Sequence, residues 1–367
     1  MMSMLVVDLF AGAGGLGEGF SRAGFDNVLS CEAEATFTET LKLRHFVRYT
    51  SQEGLHKDYY RFLTGKLELG ALYERHLEAA SKASASSLKY KLGSETKNKT
   101  FHERLRQQVG EQEFGLLGGP PCQAYSLAGR SRRLGSKGTK SEQNKRAAEF
   151  YNDEKHALYL NYLETVAFHR PAFFLMENVK GLLSAKKADN AERGSVFKDI
   201  LEGLGKPTET LETLGVKKND RGNKLAPVEY RLMPLVPPEE LFGFELASPE
   251  PSDFVINAKD FGIPQSRERV FILGVRQDVG IDSIELQKSS TRTVWDTIGH
   301  LPRLRSGLSK SEDSFENWLR AIENNSKIFF AGSKHLSALT DVLADLQALN
   351  EPLTRASYQA VSNPPAN

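Results

Sequence analysis

Three short strings bring a thiol, a carboxylate and a pair of guanidinium groups to the margins of apolar runs: Gly118-Gly119-Pro120-Pro121-Cys122-Gln123, Met176-Glu177-Asn178-Val179 and Gln265-Ser266-Arg267-Glu268-Arg269. A cysteine becomes a nucleophile only as its thiolate, which needs a nearby positive charge or helix end; otherwise it is a small inert hydrophobe. Taken alone, Glu-Asn-Val after a strand is usually a capping acid, and Arg-Glu-Arg is usually a surface ion-pair ladder. Their conjunction carries the weight. Phe114-Gly115-Leu116-Leu117 before the cysteine, Ala172-Phe173-Phe174-Leu175 before Glu177 and Val270-Phe271-Ile272-Leu273 after the arginines all read as strands. In open parallel sheets ligands bind at the carboxyl ends of strands, so Cys122 and Glu177 are expected in one crevice. Arg267 and Arg269, two apart on an extended segment, face the same side.

The elements that must position these groups begin at the first residues. Met4-Leu5-Val6-Val7 passes through Asp8-Leu9-Phe10 into Ala11-Gly12-Ala13-Gly14-Gly15-Leu16-Gly17, which reads as strand, glycine turn and the opening of a helix. Gly12, Gly14 and Gly17 have the GxGxxG spacing, and a second short strand, Asn27-Val28-Leu29-Ser30, ends in Cys31-Glu32. Glycines let the backbone approach a ligand closely, and a carboxylate ending the second strand can take both ribose hydroxyls. By itself the motif suits any nucleoside-bearing ligand, a nicotinamide or flavin cofactor included.

With 367 residues, 40% hydrophobic and 26% charged, the chain has the composition of a globular protein of one large or two smaller domains. A net charge of +1 does not announce a nucleic-acid binder, but the charge is unevenly spread. Arg130, Arg132, Arg133, Lys137, Lys140, Lys145 and Arg146 follow Cys122 with Glu142 as the single acid among them. Such a run is either a solvated face or, with Gly129, Gly135 and Gly138 for flexibility, a lid that grips phosphates. Cys31 and Cys122 are the only cysteines, which argues against a disulfide scaffold and for a reducing compartment. Cys31 has no base or metal partner in the sequence pattern and reads as a half-buried structural thiol. The histidines show no metal spacing, so no metal site is expected, and no stretch has the length of a membrane span or the pattern of a signal peptide.

The fold expected is α/β: a doubly wound, mostly parallel sheet over residues 1–285, with a helical insertion at about 44–112 and a basic loop at about 124–150. The patch Ser81-Lys82-Ala83-Ser84-Ala85-Ser86-Ser87 reads as a flexible stretch inside the insertion. Residues 286–367 read as a spacer and the start of a further region.

The three strings together, with Asp8-Leu9-Phe10-Ala11-Gly12-Ala13-Gly14-Gly15, resemble the bacterial DNA cytosine-5 methyltransferases. The resemblance covers residues 4–20, 26–34, 114–130, 170–184 and 253–276, and extends to Gly118 through Arg133 and to Thr293-Val294-Trp295-Asp296-Thr297-Ile298. It implies a Rossmann-like S-adenosylmethionine-dependent fold, with S-adenosylhomocysteine as product and double-stranded DNA as partner. Cys122 would then add to carbon 6 of a flipped cytosine, Glu177 would hold ring nitrogen 3 and the amino group, and Asn178 would brace the pocket. Pro121 would fix the nucleophile's angle through its locked φ, and Arg267 and Arg269 would face cytosine oxygen 2, a phosphate or the loop. Phe10, Ala11, Gly12, Gly14, Gly15, Leu16, Glu32 and Pro120 would hold the cofactor, with Phe10 against adenine and Asp58 as the candidate for the adenine amino group. Gln123, Ser126, Arg130, Arg132 and Arg133 would contact DNA.

One departure stands out. Complete family members continue into a target-recognition domain and a Gly-Asn-Ala/Ser-Val motif, and no such string occurs here. The expectation is a truncated product, a fragment, or half of a split enzyme completed by a second polypeptide, with the chain alone binding cofactor weakly and methylating poorly. An inactive DNA-binding remnant and an RNA-methylating relative stay open, although Ala124-Tyr125-Ser126 looks more like the DNA enzymes. The expected site of action is the bacterial cytoplasm, at the nucleoid, with no membrane.

Overall fold

The computed structural model describes residues 3–50, 56–93, 98–121, 154–186, 192–236, 249–280, 286–301, 304–309 and 311–329, with a few residues beyond. The chain divides into two compact units, Met1–Gly54 with His76–Val294, and Leu55–Arg75 with Trp295–Asn367.

The larger unit is built on eight strands: β1 (Leu5–Leu9), β2 (Asp26–Glu32), β3 (Ser87–Lys89), β4 (Phe114–Gly118), β5 (Phe173–Val179), β6 (Tyr230–Met233), β7 (Val255–Asn257) and β8 (Glu268–Arg276). Their order is β3-β2-β1-β4-β5-β8-β6, with β7 also paired to β8. The pairings from β3 through β5 are parallel, while β8 runs antiparallel to β5, β6 and β7. Every residue of β1 and β4 is buried, which is why these strands are nearly continuous apolar runs rather than alternating ones. The sheet is therefore mostly parallel, as the sequence predicts.

The helices are α1 (Gly15–Arg22), α2 (Ala35–Thr50), α3 (His56–Leu63), α4 (Leu69–Arg75), α5 (Leu77–Ser86), α6 (Lys99–Val109), α7 (Glu154–His169), α8 (Ser195–Gly205) and α9 (Pro207–Thr213). Alternation along β1 assigns the two faces of the sheet. Leu5, Val7 and Leu9 join a core with Tyr162 and Val166 of α7 and Phe197 and Ile200 of α8. Val6 joins the opposite one, with Leu16 and Phe20 of α1 and with Phe25 and Phe173. There Phe20, Phe25 and Phe173 form an aromatic cluster with ring centroids 5.0 to 6.1 Å apart.

The insertion differs from its sequence reading in two ways. It contains sheet as well as helix, because β3 pairs parallel to the end of β2 through Ser30, Cys31 and Glu32. The serine- and alanine-rich patch is not a loose stretch: it forms most of α5, whose Ala79, Ala80, Ala83 and Ser86 are buried. Small side chains let α5 pack against α2, and the Tyr49 hydroxyl meets Ser86 Oγ at 2.7 Å. In the other unit, α3 and α4 stand with α10 (Phe315–Phe329) and a parallel pair, β9 (Leu304–Arg305) with β10 (Thr354–Arg355). Among the described residues, no helix is long and apolar enough to cross a membrane, and no cluster of His, Cys, Asp and Glu could hold a metal.

Gly17 shows how tightly α1 is seated on the sheet. A Cβ there would lie 2.2 Å from Asn27 Nδ2 and 2.9 Å from Asp8 Oδ2, both buried groups. Gly17→Ala is expected to lower stability by about 1–3 kcal/mol in a denaturant titration, the usual range for overpacking. A variant as stable as the parent would contradict this packing.

Candidate active site

The glycine turn between β1 and α1 is held open by backbone geometry and two carboxylates. Gly12 (φ 54) and Gly14 (φ 85) are left-handed, and so is Phe10 (φ 53), where an aromatic residue pays about 1–3 kcal/mol for the conformation. The turn is tied to the end of β2: Ala11 N–H donates to the Cys31 carbonyl (3.2 Å) and Gly12 N–H to Glu32 Oε2 (2.9 Å). Glu32 Oε1 accepts from the N–H groups of Ala33 (2.7 Å) and Glu34 (3.0 Å). Glu32 is thus fixed at the rim of the turn, with lone pairs left for a ligand hydroxyl. Cys31 beside it is fully buried, and burial pushes its thiol well above the usual range, an inert structural role.

The facing wall comes from β5 and β8. Their antiparallel register sets Val179 opposite Arg269 and Glu177 opposite Phe271, so residues that end one strand meet residues that begin the other. Arg269 Nε pairs with Glu177 Oε1 at 3.0 Å. Glu177 Oε2 lies against Gly119, where a Cβ would come within 3.1 Å of it. Asn178 is buried; its amide donates to the Pro120 carbonyl (3.2 Å) while its Oδ1 accepts the Val179 N–H (2.9 Å). This side chain clamps the segment leading to Cys122 onto the end of β5.

Between turn and wall lies a cavity of about 410 Å³, lined by Phe10, Ala11, Gly15, Leu16, Gly119, Glu177, Arg267 and Arg269 among others. Seven of these are residues that the sequence assigns to cofactor or catalysis, and both arginines face the cavity as their spacing predicts. Gly119 and Asp8 were not assigned from sequence. Gly119 was legible only as part of the cysteine string, and its need for a bare Cα appears once Glu177 is seen beside it. Asp8 was legible as a lone carboxylate inside the apolar run of β1. It is buried, its Oδ2 accepts the Gly17 N–H at 3.1 Å, and burial raises its pKa to about 7 against the opposing pull of Gly17 N–H and Arg48.

Asp58 is corrected. It sits on α3 in the other unit, where its carboxylate pairs with Arg75 (3.0 Å) and Arg61 (3.5 Å), and the third strand of the sheet starts only at Ser87. The long insertion displaces the strand from where counting along the chain puts it. Cys122 lies outside the described residues, as do Gln123, Ser126, Arg130, Arg132 and Arg133; Pro120 and Pro121 are the last described residues before them.

The model of the C-5 cytosine-specific DNA methylase family matches residues 88–206 and 251–347, more than half of the chain. The chain belongs to this family. Curated relatives of the methylase include the type II methyltransferase M.Bpa9945I of Bacillus paralicheniformis, 28% identical over 82% of this chain and 61% of that protein. M1.HphI of Haemophilus parahaemolyticus is 26% identical over 83% of this chain and 55% of its own length. M.AquIA of Picosynechococcus sp. is 27% identical over 82% of this chain and 90% of its own. The methylase chain therefore spans little more than half the length of the first two relatives and nearly all of the third.

Asn178→Ala in this methylase removes the only side-chain donor that the structure gives the Pro120 carbonyl. Leaving a buried acceptor unpaired costs about 1–3 kcal/mol, and that loss is expected in the denaturation midpoint. An unchanged midpoint would show that Asn178 does not hold this segment.

Proposed function

We propose that the chain carries the cofactor site and catalytic carboxylate of an S-adenosylmethionine-dependent DNA cytosine-5 methyltransferase. The observation that supports this most is that Glu177, held by Arg269 at 3.0 Å, lines the same cavity as Phe10 and the glycine turn. A nucleoside-bearing ligand in the turn and a base held by Glu177 would then be neighbours, which is what a direct group transfer needs. The residues fit the cofactor: a glycine cradle, an aromatic face at Phe10, a rim carboxylate at Glu32 and a buried carboxyl oxygen of Asp8 without a partner. When bound, S-adenosylmethionine supplies an electrophilic methyl group.

The protein's part is to make carbon 5 of cytosine nucleophilic. The target base leaves the duplex stack, because its ring is otherwise out of reach. The Cys122 thiolate adds to carbon 6 while Glu177 bonds ring nitrogen 3 and the amino group, so the ring's charge is neutralised as the bond forms. Arg269 holds one oxygen of Glu177 and leaves Oε2, on the Gly119 side, free for the base. After methylation, loss of the carbon 5 proton restores the double bond and expels the thiolate. Pro121 and the Asn178 clamp on Pro120 hold the approach of the nucleophile. Arg267, exposed at the cavity mouth, is placed for a phosphate or cytosine oxygen 2.

Double-stranded DNA is the substrate in this reading, with Gln123, Ser126, Arg130, Arg132 and Arg133 as contacts and with cytoplasmic action at the nucleoid. The setting would be a restriction-modification or stand-alone methylation system. A second polypeptide contributing target recognition is favoured by one observation: the match spans 90% of M.AquIA, so a family member of this length has a counterpart.

The test is transfer of labelled methyl groups from S-adenosylmethionine to mixed-sequence duplex DNA. The expected product is 5-methylcytosine, abolished by Cys122→Ser and lowered about 10²–10⁴-fold by Glu177→Gln, the range for a positioned acid–base group. Methylation of an exocyclic nitrogen, or incorporation indifferent to Cys122→Ser, would contradict the proposal.

A further inference from the structure

The carboxyl group of Asp8 is a polar group buried in an unusual way. It sits on the same face of β1 as Val6, beneath the glycine turn, and is 1% exposed. One oxygen accepts the Gly17 N–H near the start of α1, and the other, Oδ1, has no hydrogen-bond partner. A buried carboxylate with a bare oxygen is costly, and native proteins keep such groups where they are used. Gly17 N–H alone would serve a cap that a serine or asparagine could provide as well. Asp8 also lines the cavity that holds Phe10, Glu177 and Arg269, so its position is open to whatever enters there.

We infer that Asp8 is a cofactor-binding residue: its free oxygen receives the α-ammonium of the cofactor's methionine end, and one proton leaves Asp8 for solvent as that contact forms. This rests on the cofactor reading above. The bond made is N–H to carboxylate oxygen, and the bond broken is the O–H of the Asp8 carboxyl, so charge is conserved with a single released proton. The groups around Asp8 do not remove the need for a cationic ligand. Arg48 of α2 is the nearest counter-charge but also serves Glu18 of α1 at 3.2 Å, which Arg22 and Arg44 share. Glu32 and the buried Cys31 of β2 and Tyr162 of α7 are acidic or neutral neighbours, and His45 of α2 is held neutral, its pKa pushed down to about 3 by burial. Glu177, Arg267 and Arg269 line the far side of the cavity, where the two arginines repel rather than replace an ammonium. Alone, Asp8 keeps its proton up to about pH 7; a cation at Oδ1 displaces it.

The experiment is calorimetric titration of the full chain with S-adenosylhomocysteine from pH 5.5 to 7.5, beside 5′-methylthioadenosine, which lacks the amino-acid end. S-adenosylhomocysteine should tighten by about tenfold or more over that range and release close to one proton per site at the acid end, read by comparing two buffers of different ionisation heat. Methylthioadenosine should stay within about twofold throughout. Asp8→Asn should flatten the first profile and weaken it about tenfold at pH 7.5 without altering the second.

A folding control follows from the same burial. A carboxyl whose folded pKa is raised from 3.8 to about 7 gives its full stability below the unfolded value and loses it as pH rises through about 7. Asp8→Asn should therefore melt above the parent at pH 8. Should the variant fail to fold, the parent's pH profile and proton count decide. A flat profile with no proton release, or an Asn variant that binds S-adenosylhomocysteine as well as the parent does, overturns the assignment of Asp8 alone. No binding of S-adenosylhomocysteine at any pH overturns both this assignment and the cofactor reading.

Discussion

The antiparallel pairing of β8 on β5 is the constraint on which the site depends. Parallel strands bring carboxyl ends together, so a parallel sheet alone could join Glu177 to the segment before Cys122 but not to arginines that precede their own strand. Reversing β8 places its first residues at that same end, with Arg269 opposite Val179 and its guanidinium on Glu177. The register also matters, because a slip of one residue would turn Arg267 and Arg269 away from the cavity together. Lys180 and Glu268, joined at 2.8 Å across the same strand ends, reinforce that register at the surface.

The opposite wall is held by a different device. A left-handed aromatic residue and two left-handed glycines form a turn that would relax if nothing restrained it. Two carboxylates supply the restraint, Glu32 on the Gly12 N–H and Asp8 on the Gly17 N–H. Each grips the turn with one oxygen while standing at the cavity, so the residues that keep the turn strained are also the ones a ligand meets. Gly17 and Gly119 play matching roles, since a side chain at either would collide with a carboxylate of the site.

Much of this was legible in the sequence because it is local. The strand, glycine turn and helix at Leu5 to Arg22 are written in consecutive residues, as are the strand ends that carry Glu177 and the arginines. What could not be read depends on contacts across the chain. Asp58 was proposed by counting forward to a third strand, but an insertion carries that strand to Ser87 and leaves Asp58 among arginines of another unit. The patch from Ser81 to Ser87 has the composition of a linker, yet its small residues are what allow α5 to lie on α2. Asp8 was visible as a carboxylate in an apolar strand, but its bare oxygen and its place in the cavity are three-dimensional facts.

The most direct measurement is covalent capture on duplex DNA containing 5-fluorocytosine, in the presence of S-adenosylmethionine. Fluorine at carbon 5 cannot leave as the proton does, so a thiol adduct at carbon 6 would persist after methyl transfer. The account predicts a stable protein–DNA conjugate whose single attachment maps to Cys122, requires the cofactor and is lost in Glu177→Gln. A conjugate through any other residue, or capture undiminished without Glu177, would contradict it.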